Sequence, residues 1–196
     1  MLKKLGATDI YNVKMPSRDS GTAPASTTPI SSKNYMIALS NERFNSSTQL
    51  YKAANILHEL SHAFFLSLVE DYYGTQNPAV FSEFPILFQK FVDKKYPGST
   101  IDAQHEQMAR SYVVAIGAAL QEFQTGVAVP DGAQPGQTYT DLAWGGLRDA
   151  PIFDKILPPG STDRIRIENR LAAEQSGHAI AAGTPQEQNP IGQPCN

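Results

Sequence analysis

One long helix is the strongest element that the sequence predicts. Ser46, with Gln49 three residues later, forms a capping box of the kind that starts helices. The helical pattern then continues to about Tyr73, where Gly74 provides a C-terminal stop. Apolar residues precede the central residues of this segment, at 56–57, and follow them, at 63–65. We therefore expect one side of the helix to lie in the core and the other to face a cleft.

The remaining elements predict an α-rich α+β domain with a small sheet. Strands are predicted at residues 10–14 and 34–40, and further helices at 83–95, from 101 or 102 to 123, near 151–157 and at about 162–176. The Gly-, Pro- and Gln-rich residues 126–138 are predicted to form a surface loop. We divide the chain into an N-terminal strand and loop at 1–33, a folded domain at 34–176, and a low-complexity tail at 177–196 that is predicted to be disordered.

The composition fits one ordinary globular domain and excludes several other classes of protein. The 196 residues are 41% hydrophobic and 18% charged, with a net charge of -3. No apolar run approaches the roughly 20 residues that span a bilayer, and the N-terminal residues are too polar for a secretory signal. We therefore expect a soluble chain with no membrane span. Its mild acidity argues against a nucleic-acid partner. The single cysteine, Cys195, excludes an internal disulfide framework and a cysteine-based zinc finger, because both need at least two sulfur atoms.

The segment His58-Glu59-Leu60-Ser61-His62 lies in the middle of the first predicted helix. Histidines at positions i and i+4 project from one face of a helix, so both imidazoles can bind one Zn²⁺ ion. Glu59 then lies beside the metal, where it can take a proton from water as a general base and return it to a leaving amine. The alternative is that both histidines only make local hydrogen bonds. The complete motif at the centre of a helix favours a zinc site.

A catalytic zinc site usually has three protein ligands and one open position, so a third ligand is needed. His105 is the strongest candidate, because it lies on the face of its helix that should pack on the core and so on the first helix. Glu106 and Glu83 are alternatives. Glu106 also fits an ion pair with a helical neighbour, and Glu83 also fits an acidic residue at a helix start.

Tyr112 and His178 are two further residues whose side chains could take part in metal or substrate chemistry. Tyr112 lies two turns beyond His105 on the same helix face, where it could donate a hydrogen bond to a tetrahedral oxyanion or serve as a core aromatic. The remaining histidine, His178, lies in the predicted tail and is assigned no role. The metzincin pattern is excluded, because Phe65 and Leu68 occupy its glycine and third-histidine positions.

Three segments of the chain resemble a known family. They are residues 56–63, residues 105–109 together with Tyr112, and the Ala-Trp-Gly-Gly-Leu segment at 143–147. Over roughly residues 34–150 the chain resembles zincin-like metallopeptidase domains of the Bacteroidetes group, which are loosely similar to SprT-like peptidases and often form C-terminal modules of polymorphic-toxin or secreted proteins. The resemblance implies His58, His62 and His105 as zinc ligands and Glu59 as the catalytic acid and base. No cysteine zinc ribbon follows, so the resemblance implies no role in DNA repair.

We therefore expect residues 34–176 to be a zincin-like zinc metallopeptidase domain, acting on proteins or peptides as an effector or toxin module of a longer secreted protein. Its cleft is predicted between the first helix and the strand at 34–40, whose edge could align an extended peptide. Two alternatives stay open. One is a non-catalytic module in which zinc staples two helices together, and the other is a hydrolase for a non-peptide amide. The sequence predicts neither an oligomeric state nor a compartment.

Overall fold

Five α-helices and one three-stranded sheet make up the part of the chain that the computed structural model describes, which is residues 11–16, 23–40, 42–73 and 101–195. The side chains of residues 68, 69, 71–73 and 101–108 are not part of that description. The helices are α1 (Gln49–Tyr73), α2 (Ile101–Thr125), α3 (Gln137–Trp144), α4 (Pro151–Ile156) and α5 (Thr162–Ser176). This content confirms the predicted α+β class. Across the described residues, none of the helices meets the requirements of a membrane span.

The sheet has the strand order β1-β3-β2, in which β1 is Asn12–Lys14, β2 is Ala25–Ser31 and β3 is Asn34–Leu39. β1 pairs with β3 in parallel, and β2 pairs with β3 in antiparallel orientation. β3 is therefore the central strand. The prediction that its edge is free to align a peptide is wrong, since a strand pairs along each side of it.

β2 lies where the sequence predicted an irregular loop. It contains Pro29 and has no alternation of apolar and polar residues, and its register with β3 shifts between Pro29 and Ser31. A proline is tolerated in a strand at the edge of a sheet, where its missing N–H is not needed for pairing. Because β1 and β2 both pair with β3, the folded domain includes strands from the segment that was predicted to precede residue 34.

The first predicted helix is confirmed as α1, but its cap is a different residue. Thr48 stands directly before Gln49, and its Oγ1 accepts a hydrogen bond of 3.2 Å from the backbone N–H of Tyr51. Ser46, the predicted cap, is exposed in the preceding turn. The Thr48 hydroxyl also lies 2.5 Å from a carboxylate oxygen of Glu174. A tertiary contact thus fixes where α1 begins.

The core lies between α1 and α2 and extends to the shorter helices. On α2, Tyr112, Ile116 and Leu120 are almost fully buried at the four-residue spacing of one helix face. Phe123, where the sequence predicts this helix to end, is 56% exposed. The last buried residue of α2 is Leu120, so Phe123 lies in a terminal turn that extends past the core.

The shorter helices close the other side of the domain. α3 was not predicted; it begins in the last two residues of the loop predicted at 126–138 and continues beyond it, while α4 and α5 confirm the helices predicted near 151–157 and 162–176. Trp144 at the end of α3 packs on Phe153 of α4, with ring centroids 6.1 Å apart. α5 is capped by Ser161 and ends at Gly177, whose φ of 70° is readily adopted by glycine. The helix predicted at 83–95 lies outside the described residues.

Residues 177–195 differ from the disordered tail that the sequence predicted. They pack along α5 and the start of α1, where Pro194 forms an isolated antiparallel bridge with Thr48. Glu174, which is fully buried, accepts hydrogen bonds from the backbone N–H groups of Ile191 at 2.7 Å and Gly192 at 3.2 Å. A buried carboxylate needs such donors. Polar contacts therefore hold residues 177–195 in place. The sequence predicted disorder because this segment has few apolar residues.

Candidate metal centre and catalytic cleft

The two histidines of the motif lie side by side on α1. The ring centroids of His58 and His62 are 5.2 Å apart, and their planes are inclined at 85°. His62 is buried, while His58 keeps part of its surface exposed. Their spacing of four residues brings the rings together on one helix face. The pair can therefore offer two nitrogen ligands to one metal ion.

Burial keeps both imidazoles neutral near neutral pH. Loss of hydration lowers the pKa of His58 to about 4. The same cause lowers the pKa of His62 to about 3, with the charge of His58 as a second contribution. A neutral imidazole is the form that binds a metal ion. The electrostatics of α1 thus suit the two histidines to ligation.

Tyr112 and Gly146 surround one edge of the His58 ring. The Nδ1 atom of His58 lies 3.0 Å from the hydroxyl oxygen of Tyr112, whose pKa is raised by burial and then by the charge of Glu59. A Cβ atom on Gly146 would lie 2.6 Å from Nδ1 of His58 and would also overlap the Tyr112 hydroxyl. Glycine is therefore required at 146 for this close approach. The hydrogen bond from Tyr112 to an oxyanion stays a prediction.

Glu59 is held by a residue of the sheet. The Oγ1 atom of Thr27 in β2 lies 2.7 Å from Oε2 of Glu59 and 3.0 Å from its backbone carbonyl oxygen. Glu59 is buried, and burial raises the pKa of its carboxyl group, while the hydrogen bonds from Thr27 act in the opposite direction. The carboxylate is thus oriented through one oxygen, and burial favours its protonated form more than in water.

His58 and Glu59 open onto a cavity of about 500 Å³. The floor is one face of α1, and the walls come from the start of β2, the turn before α1, the segment after α3, and α5. The residues that line the floor are Tyr51, Ala54, Asn55, His58 and Glu59. A carboxylate and an imidazole beside an open cavity of this size are available to a bound ligand.

The residues present fit a zinc ion in chemistry, because two neutral imidazole nitrogens on one helix face are typical zinc ligands. Among the side chains that the structure describes, no group of three His, Cys, Asp or Glu residues is placed to hold a metal ion. The backbone of His105 and Glu106 belongs to α2, but their side chains lie outside the description, as does Glu83. The third ligand therefore stays a prediction. His178 is exposed in the C-terminal segment, and no role is assigned to it.

Two contributors to the site were missed by the sequence analysis. Thr27 had been placed in a loop, and nothing in a single threonine shows that it reaches a carboxylate 32 positions away. Gly146 belongs to the Trp-Gly-Gly-Leu segment, which had been noted without a role. Its adjacent glycines, Gly145 and Gly146, were the available signal, since paired glycines often mark a close approach of the backbone to another group.

Comparisons with known proteins found no match. This holds for protein-family models, for curated proteins and for solved structures. The family resemblance drawn from the motifs therefore stays a prediction. What this chain can do chemically is set by the residues of the site and their geometry.

Proposed function

We propose that the chain is a zinc-dependent metallopeptidase of the zincin-like class that its motifs resemble. One observation carries the proposal, namely that His58 and Glu59 line an open cavity while His58 and His62 lie ring to ring on the same helix. A carboxylate beside two neutral imidazoles is the set of groups that metal-assisted hydrolysis of an amide needs.

In this proposal, His58, His62 and a third residue, for which His105 is the candidate, hold Zn²⁺. When bound, the ion lowers the pKa of water and polarises the carbonyl of the peptide bond. Because Nδ1 of His58 is next to the hydroxyl of Tyr112, we assign its Nε2 atom to the metal. Tyr112 is then a positioning residue that orients the imidazole of His58.

Glu59 supplies the general acid and base. It takes a proton from the attacking water and passes it to the nitrogen of the leaving amine. Its pKa, raised by burial, favours this exchange, because a carboxylate with an ordinary pKa holds a proton poorly near neutral pH. Thr27 fixes Oε2, which leaves Oε1 to handle the proton.

The substrate in this proposal is an extended segment of protein or peptide. In the described part of the chain β2 pairs only with β3, so its other edge has no strand partner and can pair with an extended backbone. Pro24 and Ala25, at the start of β2, line the same cavity as Glu59. Cleavage of other proteins is also what the effector or toxin role implied by the resemblance requires.

The decisive experiment compares Glu59→Gln with Glu122→Gln, a control at an exposed position of α2. Both variants and the wild type are loaded with zinc and incubated with unfolded casein and a set of non-peptide amides, and bound zinc is measured in parallel. We expect Glu59→Gln to retain zinc and to lose cleavage by a factor of about 10² to 10⁴. Glu122→Gln should behave like the wild type.

Three other outcomes would contradict the proposal. Full proteolysis by Glu59→Gln would remove Glu59 from the mechanism. Bound zinc in a wild type that cleaves nothing would favour the alternative in which zinc only staples two helices. Hydrolysis of a non-peptide amide without cleavage of casein would favour an amidase.

A further inference from the structure

Two arginines at the rim of the cavity make no ion pair with any residue that the structure describes. Arg43 belongs to the 3₁₀ turn Glu42–Phe44 before α1, and Arg148 follows the 3₁₀ turn Gly145–Leu147 after α3. Both side chains are exposed, and both residues line the cavity that contains His58. Each is available to an incoming anion.

Other arginines of the domain are used differently. Arg164 lies 2.6 Å from Asp154 and 2.9 Å from Glu168, and Arg166 contacts Asp141 at 2.9 Å. These guanidinium groups stabilise the packing of α5 on its neighbours. By contrast, Arg43 and Arg148 form no such ion pair within the described part of the chain.

Arg43 and Arg148 line the same cavity as Tyr51, although the two arginines are far apart in the sequence. Burial raises the pKa of the Tyr51 hydroxyl, while Asn55 and the positive charges of Arg148 and Arg43 lower it. Both guanidinium groups thus add positive charge to the cavity that Tyr51 lines, which favours an anion there.

Two acidic residues, Glu59 and Asp149, also line the cavity. The carboxylate of Glu59 accepts a hydrogen bond from Thr27. Asp149 follows Arg148 in the chain, and the structure, which describes all three residues, shows no ion pair between it and either arginine. The two guanidinium groups therefore bring positive charge to the cavity wall, while Glu59 contributes the catalytic carboxylate.

We infer that Arg43 and Arg148 bind a carboxylate of the substrate, so that this site selects peptides with an acidic group at a fixed distance from the bond that is cut. The inference rests on the proposed peptidase function. A guanidinium binds a carboxylate through two parallel hydrogen bonds, which gives both affinity and orientation. The carboxylate can belong to an Asp or Glu side chain or to the C-terminus of the peptide.

The geometry of α1 sets the distance. Tyr51 and Glu59 are eight residues apart, which corresponds to about 12 Å along a helix. An extended peptide covers about 3.3 Å per residue. The acidic group should therefore lie about three or four residues from the scissile bond.

The test uses three synthetic peptide libraries of one length. The first contains Glu at randomised positions and has both ends blocked, the second has Gln in place of each Glu, and the third is the Gln library with a free C-terminal carboxylate. We compare five zinc-loaded proteins: the wild type, Arg43→Gln, Arg148→Gln, the double variant, and Lys14→Gln. The last is the control, at an exposed position of β1. Cleavage sites are mapped by mass spectrometry, and retention of each library is measured on the corresponding immobilised proteins that also carry Glu59→Gln.

We expect the wild type and Lys14→Gln to retain the Glu library about tenfold better than the Gln library, and the double variant to lose that difference. Cleavage sites should show Glu enriched three or four residues away. Preference for the third library instead would identify the chain terminus as the source of the carboxylate.

Cleavage and retention together distinguish the loss of the carboxylate site from the loss of the proposed peptidase function. Cleavage of the Glu and Gln libraries at equal rates by the wild type and the double variant would overturn the inference and leave the peptidase in place. Retention of the Glu library that depends on Arg43 and Arg148, without cleavage of any library, would support the carboxylate site and overturn the peptidase. Melting temperatures close to the wild type exclude misfolding of the exposed-arginine variants as the cause of any loss.

Discussion

The Nδ1 atom of His58 lies 3.0 Å from the hydroxyl oxygen of Tyr112, although the two residues are 54 positions apart and belong to different helices. The contact joins α1 to α2 at the candidate metal centre. With its proton on Nδ1, the imidazole donates to Tyr112, and Nε2 is the nitrogen that would bind the proposed metal ion. In the proposed site, the contact would therefore orient His58 before the metal ion binds.

Replacing Tyr112 with phenylalanine should weaken zinc binding. The ring would still fill the core, but His58 would lose the hydroxyl that orients it, and loss of such a partner typically lowers metal affinity about 10- to 100-fold. Affinity is measured by competition with a chromogenic chelator. Tyr139→Phe, at a partly buried tyrosine of α3, is the control and should bind zinc like the wild type. An unchanged affinity for Tyr112→Phe would mean that this hydrogen bond does not orient the ligand.

A Gly146→Ala variant should disturb the same contact from the opposite side. The added Cβ would lie 2.6 Å from Nδ1 of His58, so the ring, Tyr112 or the backbone has to move. Overpacking of this kind costs about 1 to 3 kcal/mol of folding free energy, and we also expect lower zinc affinity. At Gly136 an added Cβ would meet Tyr139 at an ordinary 3.4 Å. Gly136→Ala should therefore leave zinc binding unchanged, and equal zinc affinities in the two variants would contradict the close approach at Gly146.

The Thr27→Val variant should change the pH dependence of cleavage. The hydrogen bond from the Thr27 side chain lowers the pKa of Glu59, so its removal raises that pKa further, while the backbone hydrogen bond from residue 27 remains. Glu59 acts as a base only when it is deprotonated, and the acid limb of the kcat/KM profile should therefore move to higher pH. Thr28→Val changes the next residue of the same strand, which is exposed, and should leave the limb in place. A shift in both variants, or in neither, would show that Thr27 does not tune this carboxylate.

The sequence predicted those parts of the fold whose signal is local. α2 follows from apolar periodicity, and α1 from a helical pattern that ends at the helix-stop residue Gly74. β2 was missed because an edge strand with a proline needs no apolar alternation, and α3 was missed because its buried residues span less than two turns. The order of the C-terminal segment depends on Glu174, whose burial cannot be read from its neighbours in the chain.

The same division holds for the candidate site. His58, Glu59 and His62 lie within five residues on one helix, so a motif was enough to find them. Thr27 and Gly146 come from a strand and a turn that reach the site only when the chain is folded. Thr27 contributes a hydrogen bond, and Gly146 contributes space because it has no Cβ atom. Neither contribution leaves a pattern of residue types in the sequence.

The buried contact between Thr48 and Glu174 should be a measurable source of stability. Their side-chain oxygens lie 2.5 Å apart, and both residues are almost fully buried. Hydrogen bonds to charged groups contribute about 1.5 to 3 kcal/mol. A double-mutant cycle with Thr48→Val and Glu174→Gln, measured by urea denaturation, should therefore give a coupling energy in this range, and the cycle removes the separate effect of losing the α1 cap. Thr162→Val, at an exposed position at the start of α5, replaces Thr48→Val in the control cycle and should show no coupling to Glu174→Gln. Coupling below about 0.5 kcal/mol in the first cycle would mean that Arg170 and the C-terminal segment stabilise Glu174 without a contribution from Thr48.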